Sequence, residues 1–177
     1  GNCMSLIETY LFLYLLQEFD PPATKLLLGA SIAVMCAFEI PVFVYVDRLF
    51  AKLELRTLLS ICHFIFDVRC KLYAVLPRSS PITVLIVEPL HVITFPMMWS
   101  VSVEYGKRIA PIGSEATMQA LLSGMYYKLA IGIGSSFWGV VTAQRHLGFR
   151  KSYFACACLQ IVWSLFWNAG WILESRM

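Results

Sequence analysis

The sequence predicts an all-α, polytopic transmembrane helix bundle of six spans, and three observations carry that prediction. Apolar residues make up 59% of the 177 positions and charged residues 14%, with a mean hydropathy of +0.70; a soluble domain has about 45–50% and 25%. The apolar residues fall into six runs, each close to the ~20 residues that an α-helix needs to cross the hydrocarbon core. The joints between runs carry helix-stopping residues, and no strand-like alternation is visible, which excludes a β-barrel.

The spans are expected over residues 2–19, 25–46, 57–76, 82–103, 118–141 and 153–173. Asp20-Pro21-Pro22 ends the first, because proline has no backbone donor and restricts the residue before it. Leu76-Pro77-Arg-Ser-Ser-Pro81 gives a tight turn between the third and fourth. Ala110-Pro111-Ile-Gly113-Ser114 breaks the chain again, with Ser114 placed as an N-cap for the fifth. Short joints between long apolar helices give an antiparallel up-down bundle. The chain opens at Gly1, already inside an apolar run and without a signal-peptide pattern, and is read as a fragment.

Fourteen Lys/Arg against eleven Asp/Glu leave a net charge of +3 with no basic run, which argues against nucleic acid as a partner. Cys3, Cys36, Cys62, Cys70, Cys156 and Cys158 lie in apolar segments without C-x-x-C spacing. They read as buried small hydrophobes, not as a zinc or disulfide framework. Basic residues do not orient the bundle: Arg48, Lys52, Arg56, Lys107, Arg108 and Arg176 fall at one end, and Lys25, Arg78, Arg145, Arg150 and Lys151 at the other.

Polar residues within the spans are the candidates for function. Glu88 and His91 lie one turn apart in the fourth span and share a helix face. A charge near the bilayer centre costs ~2.5–3.5 kcal/mol, so such a pair faces a cavity or a partner. They either bind and move something or brace the helix where Pro89 removes a donor. In the third span, His63, Asp67 and Lys71 stand at i, i+4, i+8 on one face, and Asp67 and Lys71 can neutralise each other. Arg69 points about 200° away from Asp67 and has no such partner nearby in the sequence. Glu39, just before Pro41, is either a hydrogen-bond former to a neighbouring helix or a cavity carboxylate that pairs with Arg69. Lys128 lies on one line with Gly124, Gly132 and Ser136, where small residues let another backbone approach and a lysine would need a carboxylate. Gln160 and Asn168 read as interhelical hydrogen-bond formers; Trp99, Tyr153 and Trp171 read as belt or packing residues first and ligand stackers second.

Glu88-Pro-Leu-His91 is followed by Phe95, Trp99 and Tyr105, then by Ala110-Pro-Ile-Gly113-Ser-Glu115-Ala-Thr117-Met-Gln119 and a Gly-rich helix. Together these resemble the major facilitator superfamily. The narrower likeness is to its "major facilitator superfamily associated domain" group, which includes lactose-permease-like proton symporters and macrophage MHC receptor homologues. Phe38-Glu39-Ile40-Pro41 is similar to that group's Glu-Ile-Pro, Asp47-Arg48 with Lys52 resembles a degraded Asp-Arg loop motif, and Leu90-His91 with Pro96 resembles the coupling helix of the permeases.

The resemblance covers nearly the whole chain and implies the C-terminal six helices of a twelve-helix transporter, with loops 47–56 and 104–117 in the cytosol. It implies alternating access, two halves rocking about a midplane site, and an arginine of the third helix facing that cavity, here Arg69. In the permeases a glutamate three residues after the histidine carries the proton. This chain has Thr94 there, and Glu88 three residues before His91. The expectation is a secondary transporter of a small organic solute, with protons as the coupling ion. Glu88 and His91 form its titrating centre, and Arg69 and Glu39 are their charge partners. The partners implied are that solute, protons, the lipid bilayer and the missing N-terminal half. No enzyme activity, metal or organic cofactor is implied. Because some relatives are described as receptors, the alternative is a receptor or assembly subunit that keeps the fold without transport. The two readings differ in whether Glu88, His91 and Arg69 meet at a water-accessible cavity or are sealed into helix contacts. The six-helix mitochondrial carrier is excluded, since its repeated Pro-x-Asp/Glu-x-x-Lys/Arg motif is absent.

Overall fold

Thr24 starts the second helix by accepting the Leu27 N–H on its hydroxyl at 3.2 Å, and the described residues form six helices. A computed structural model describes the backbone of residues 1–143 and 147–174 and the side chains of 1–142 and 147–170. The helices are α1 (Asn2–Gln17), α2 (Lys25–Phe50), α3 (Leu55–Val75), α4 (Pro81–Ile109), α5 (115–143) and α6 (Gly148–Glu174). The described residues contain no strand. Two of the helices, α2 and α4, are by themselves long and apolar enough to cross a membrane.

Several boundaries differ from expectation. α2 runs on to Phe50 and α4 to Ile109, so the joints expected at 47–56 and 104–117 shrink to 51–54 and 110–114. Asp47-Arg48 therefore lies in the last turn of α2 rather than in a loop. Charges end a hydropathy run but not a helix. Arg48, Lys107 and Arg108 sit where cations favour the helix C-terminus, and Arg108 pairs with Glu104 at 2.8 Å. Ser114 occupies the N-cap position of α5 but does not cap it: its hydroxyl donates back to Pro111 O at 2.7 Å. Arg145, Arg176 and the Trp171 side chain lie outside the described residues.

The joints at 18–24 and 76–80 and the start of α6 meet at one end of the bundle. The Asp20 N–H donates to Arg78 O at 3.0 Å, Arg78 reaches Glu18 at 3.4 Å, and Arg150 donates to the carbonyls of Ala74 and Leu76. α3 and α6 form the most extensive pairing. Between them and α1 lies a tyrosine core, Tyr14, Tyr73 and Tyr153, with ring centroids 5.1 and 5.3 Å apart. Tyr153 is thus a packing residue. Outward faces are apolar as well: Ile40, Phe64, Val75, Ile86, Leu165 and Phe166 are exposed, far more apolar surface than a water-soluble monomer shows. Cys62, Cys70 and Cys156 are buried as expected and Cys3 is half-buried, but Cys36 and Cys158 lie on these outward faces, which are apolar like the core.

The close approach on α5 is also displaced from the expected line. No neighbouring atom lies within 4 Å of a Cβ built on Gly124 or Gly132, and Lys128 is exposed. A π-helical segment, Gly124–Ala130, rotates the rest of α5, so that Gly134 and Gly139 face α1 instead. There the Tyr10 hydroxyl donates to Ser135 O at 2.7 Å and Trp138 Nε1 donates to Asn2 O at 3.1 Å. A Cβ on Gly134 would stand 2.8 Å from Asn2 O and 2.9 Å from Asn2 Cα, which are backbone atoms that cannot swing away. Gly134→Val is therefore expected to destabilise the protein by about 1–3 kcal/mol, whereas Gly132→Ala should leave it unchanged. Thermal unfolding of the two variants in detergent measures the difference.

Candidate functional site

Arg69 lies on the inward side of α3, opposite Asp67 and Lys71, which pair with each other at 2.6 Å as their spacing predicted. Its guanidinium is fully buried and every donor group is used. Nε and Nη2 donate to Tyr73 Oη at 3.1 and 2.9 Å, and Nη2 meets Glu88 Oε2 at 3.2 Å. Nη1 lies 3.0 Å from both His91 Nδ1 and Thr94 Oγ1. The Tyr73 hydroxyl in turn donates to Glu88 Oε1 at 3.1 Å. One cation is thus held by three side chains of α4 and by a tyrosine one turn along its own helix.

The backbone of α4 is irregular where it meets Arg69. Pro89 and Pro96 each remove a helical donor, and the rod passes through a 3-10 turn at Glu88–Leu90 and a π segment at Ile93–Met97 on either side of His91. These distortions accompany the convergence of Glu88, His91 and Thr94, from three successive turns, on one guanidinium. The His91 ring also stacks on Phe95 at 5.6 Å, and Phe95 and Trp99 rest against Tyr126 of α5.

Glu39 completes the cluster from α2 by the first of its two readings, a hydrogen bond to a neighbouring helix, and not by pairing with Arg69. It does not reach Arg69; its Oε1 lies 2.9 Å from His91 Nε2. Arg69 already has a full set of partners, and His91 stands between the two. Arginine only donates, so the Nδ1 contact requires that nitrogen to accept, which leaves the proton on Nε2 to donate to Glu39. The chain of contacts is therefore Glu39–His91–Arg69–Glu88, with Tyr73 and Thr94 at its sides. One cation faces two carboxylates around a neutral imidazole, so the cluster is one positive charge short when both carboxylates are ionised. A single proton balances it.

Access is graded along this chain. The side chains of Arg69 and Glu88 are 0% exposed, that of His91 11% and that of Glu39 26%. Arg69 has no oppositely charged partner on its own helix, as its spacing predicts; the neutral Tyr73 hydroxyl at i+4 accepts from it instead, and its carboxylate, Glu88, comes from α4. Nothing in the spacing singles out this tyrosine, because a tyrosine in an apolar helix reads as core. Glu8, a carboxylate exposed midway along the apolar α1, is a further ionisable group that spacing alone does not single out. Asn168 does bond across helices, accepting from the Ser60 hydroxyl at 3.1 Å. Gln160 does not: it has no protein partner among the described residues, because it faces a cavity. No group of His, Cys, Asp and Glu that could hold a metal ion occurs among the described residues.

The MFS_1 like family matches residues 1–150. Neither the curated proteins nor the solved structures give a match. The family match takes in α1 to α5 and every residue of the Arg69 cluster. The chain belongs to the MFS_1 like family, a transporter-type branch of the major facilitator superfamily.

Proposed function

We propose that the chain is the six-span C-terminal half of a secondary transporter that moves a small organic solute by alternating access with protons as the coupling ion. Its likeness is to the lactose-permease-like symporters of the major facilitator superfamily associated domain group. Its partner is an N-terminal six-helix half of the same protein, and both lie in the bilayer. The observation that carries the reading is the charge count of the buried cluster. Glu88 neutralises Arg69 in a dry site, and Glu39 is left with only the neutral His91. Burying a net charge is costly, so closing the site over Glu39 favours taking up one proton, and opening it to water favours release. A solute that bonds to Glu39 or His91 biases that equilibrium, and coupling follows from its differing affinity for the two states. The proton sits on the Glu39 carboxyl; on His91 Nδ1 it would point at a guanidinium that can only donate.

The test is uptake into proteoliposomes holding the full-length protein, with and without an imposed pH gradient, across a panel of sugars, amino acids and organic acids. Gradient-dependent accumulation of at least one is expected. The alternative reading, a receptor or assembly subunit with a transporter-like fold, draws on the complete sealing of Arg69 and Glu88. It predicts no gradient-driven flux for any solute. Topology supplies an independent check. On a background free of native cysteines, cysteine in place of Arg48 or Lys107 should react with an impermeant thiol reagent from the cytosolic side alone, and cysteine in place of Ser79 from the opposite side alone. Labelling of Arg48 and Ser79 positions from one side would contradict six spans.

A further inference from the structure

Four rings gather where α4 meets α5. Phe95 and Trp99 of α4 stand against Tyr126 and Tyr127 of α5, with ring centroids 5.3–6.5 Å apart across the seam. Tyr127 is 45% exposed and the other three are half-buried, so the cluster comes to the surface. α2 packs against α4 on one flank, and α1 packs against α5 on the other. Each flanking helix brings one carboxylate to the rings. Glu39 of α2 meets His91, which stacks on Phe95, and Glu8 of α1 is exposed midway along an apolar helix. Both carboxylates act electrostatically on Tyr127, and no positive side chain among the described residues does.

The negative charge on this face is uncompensated. Glu39 has only the neutral His91, and Glu8 forms no ion pair among the described residues. Arg69 and the Gly1 ammonium act on Glu8 from beyond ion-pair distance, and Arg69 is already spent on Glu88. Lys128, next along α5, lines a separate groove with Gly132 and Ser136. Ionised carboxylates exposed at mid-helix are not stable against hydrocarbon, so this face meets water or a positive charge. The rings point the same way. Elsewhere the protein covers aromatic faces with its own cations: Arg69 lies over Tyr73, Arg48 over Tyr45 and Arg150 over Tyr14. Among the described residues no cation covers Phe95, Trp99, Tyr126 or Tyr127. Open ring faces beside unpaired carboxylates suit a substituted ammonium, whose charge is attracted by the ring quadrupole.

We propose that this face is a binding site for a small organic cation with an alkylated ammonium group, seated against Trp99, Tyr126 and Tyr127 with Glu8 as its counter-charge. The positive charge follows from two carboxylates without a cation between them. The alkyl groups follow from the rings, which attract a weakly hydrated ammonium and offer a bare, strongly hydrated ion nothing to replace its water. Glu39 stays free for the coupling proton. That the cation is the transported solute rests on the transporter reading above; that it binds does not.

Choline is the probe, measured by equilibrium dialysis against the full-length protein in maltoside micelles, which hold no choline head groups of their own. Its neutral isostere, 3,3-dimethylbutan-1-ol, has carbon in place of the charged nitrogen. Saturable binding of choline is expected, with the isostere and the anion 3,3-dimethylbutyrate at least about tenfold weaker. Trp99→Leu should weaken choline by about two- to thirtyfold, the range of a cation–π contact. Glu8→Gln should weaken it by about fivefold, whereas Glu8→Asp keeps the charge and most of the affinity. If Trp99→Leu fails to fold, the two Glu8 variants, at an exposed position, carry the test. The proposal is overturned if choline shows no saturable binding, if the isostere binds as tightly, or if Glu8→Gln or a folded Trp99→Leu binds as the wild type does. Adding choline to the uptake panel separates the two readings. Choline bound while no solute moves retains the site and overturns the transporter; a solute moved without choline binding does the reverse.

Discussion

Replacing Arg69 with alanine is expected to destabilise the folded protein by about 3–5 kcal/mol, the range for stranding one partner of a buried ion pair. The loss comes less from the attraction given up than from what stays behind. Glu88 would sit fully buried with Tyr73 as its only donor, and Thr94 and His91 would lose the guanidinium N–H groups they accept. The same argument gives an expected rescue. In Arg69→Met/Glu88→Leu both charges are gone, and the double variant should recover most of the stability lost by Arg69→Ala although transport does not return. Denaturant or thermal unfolding of the detergent-solubilised variants decides the matter. A loss below about 1 kcal/mol for Arg69→Ala would mean that water reaches the site freely.

The second large effect is on coupling. Glu39→Gln fixes the open end of the cluster in its neutral form, so accumulation driven by a pH gradient should fall to equilibration while exchange of solute across the membrane persists. Glu88→Gln should also abolish accumulation, but for a different reason: Arg69 loses its counter-charge, and the charge balance of the whole cluster changes. The variants separate the roles of the two carboxylates. If Glu39→Gln accumulates solute with the wild-type pH dependence and Glu88→Gln does not, the proton is carried at Glu88. His91→Gln is the milder change, because the carboxamide can still accept from Arg69 and donate to Glu39 without titrating. It should weaken solute affinity more than it weakens the gradient dependence. Counterflow and gradient-driven uptake, measured on the same proteoliposomes, give the two readouts.

The sequence pointed to Arg69, Glu88, His91 and Glu39 for a simple reason: ionisable groups in apolar helices stand out. What could not be read was which of them meet. Partner choice depends on the azimuth and depth at which helices pack, and spacing along one helix does not determine either. Glu39 is an example: its place in the sequence allows either a hydrogen bond to a neighbouring helix or a pairing with Arg69, and the ring of His91, standing between the two charges, decides for the first. The line from Gly124 through Lys128 to Gly132 and Ser136 is broken locally, since the wider π turn of 124–130 shifts every later residue of α5 around its axis, and 3.6-residue counting cannot anticipate it. Tyr73 was invisible because its hydroxyl, the part that matters, is attached to a ring that any apolar core would accept.

The thin burial of α2 has a mechanical consequence. Of its 26 residues only Ser31 and Val46 are buried, so apolar packing holds this helix less firmly than it holds α1 or α3, and the Glu39–His91 contact is a correspondingly large part of its attachment near mid-length. In the proposed transport cycle that contact would act as a latch on a long lever. Neutralising one carboxyl oxygen weakens a charge-assisted bond to an ordinary one, and the helix can swing at little cost elsewhere. In the proposed coupling, a chemical event the size of a proton would thereby be geared to the displacement of a whole helix.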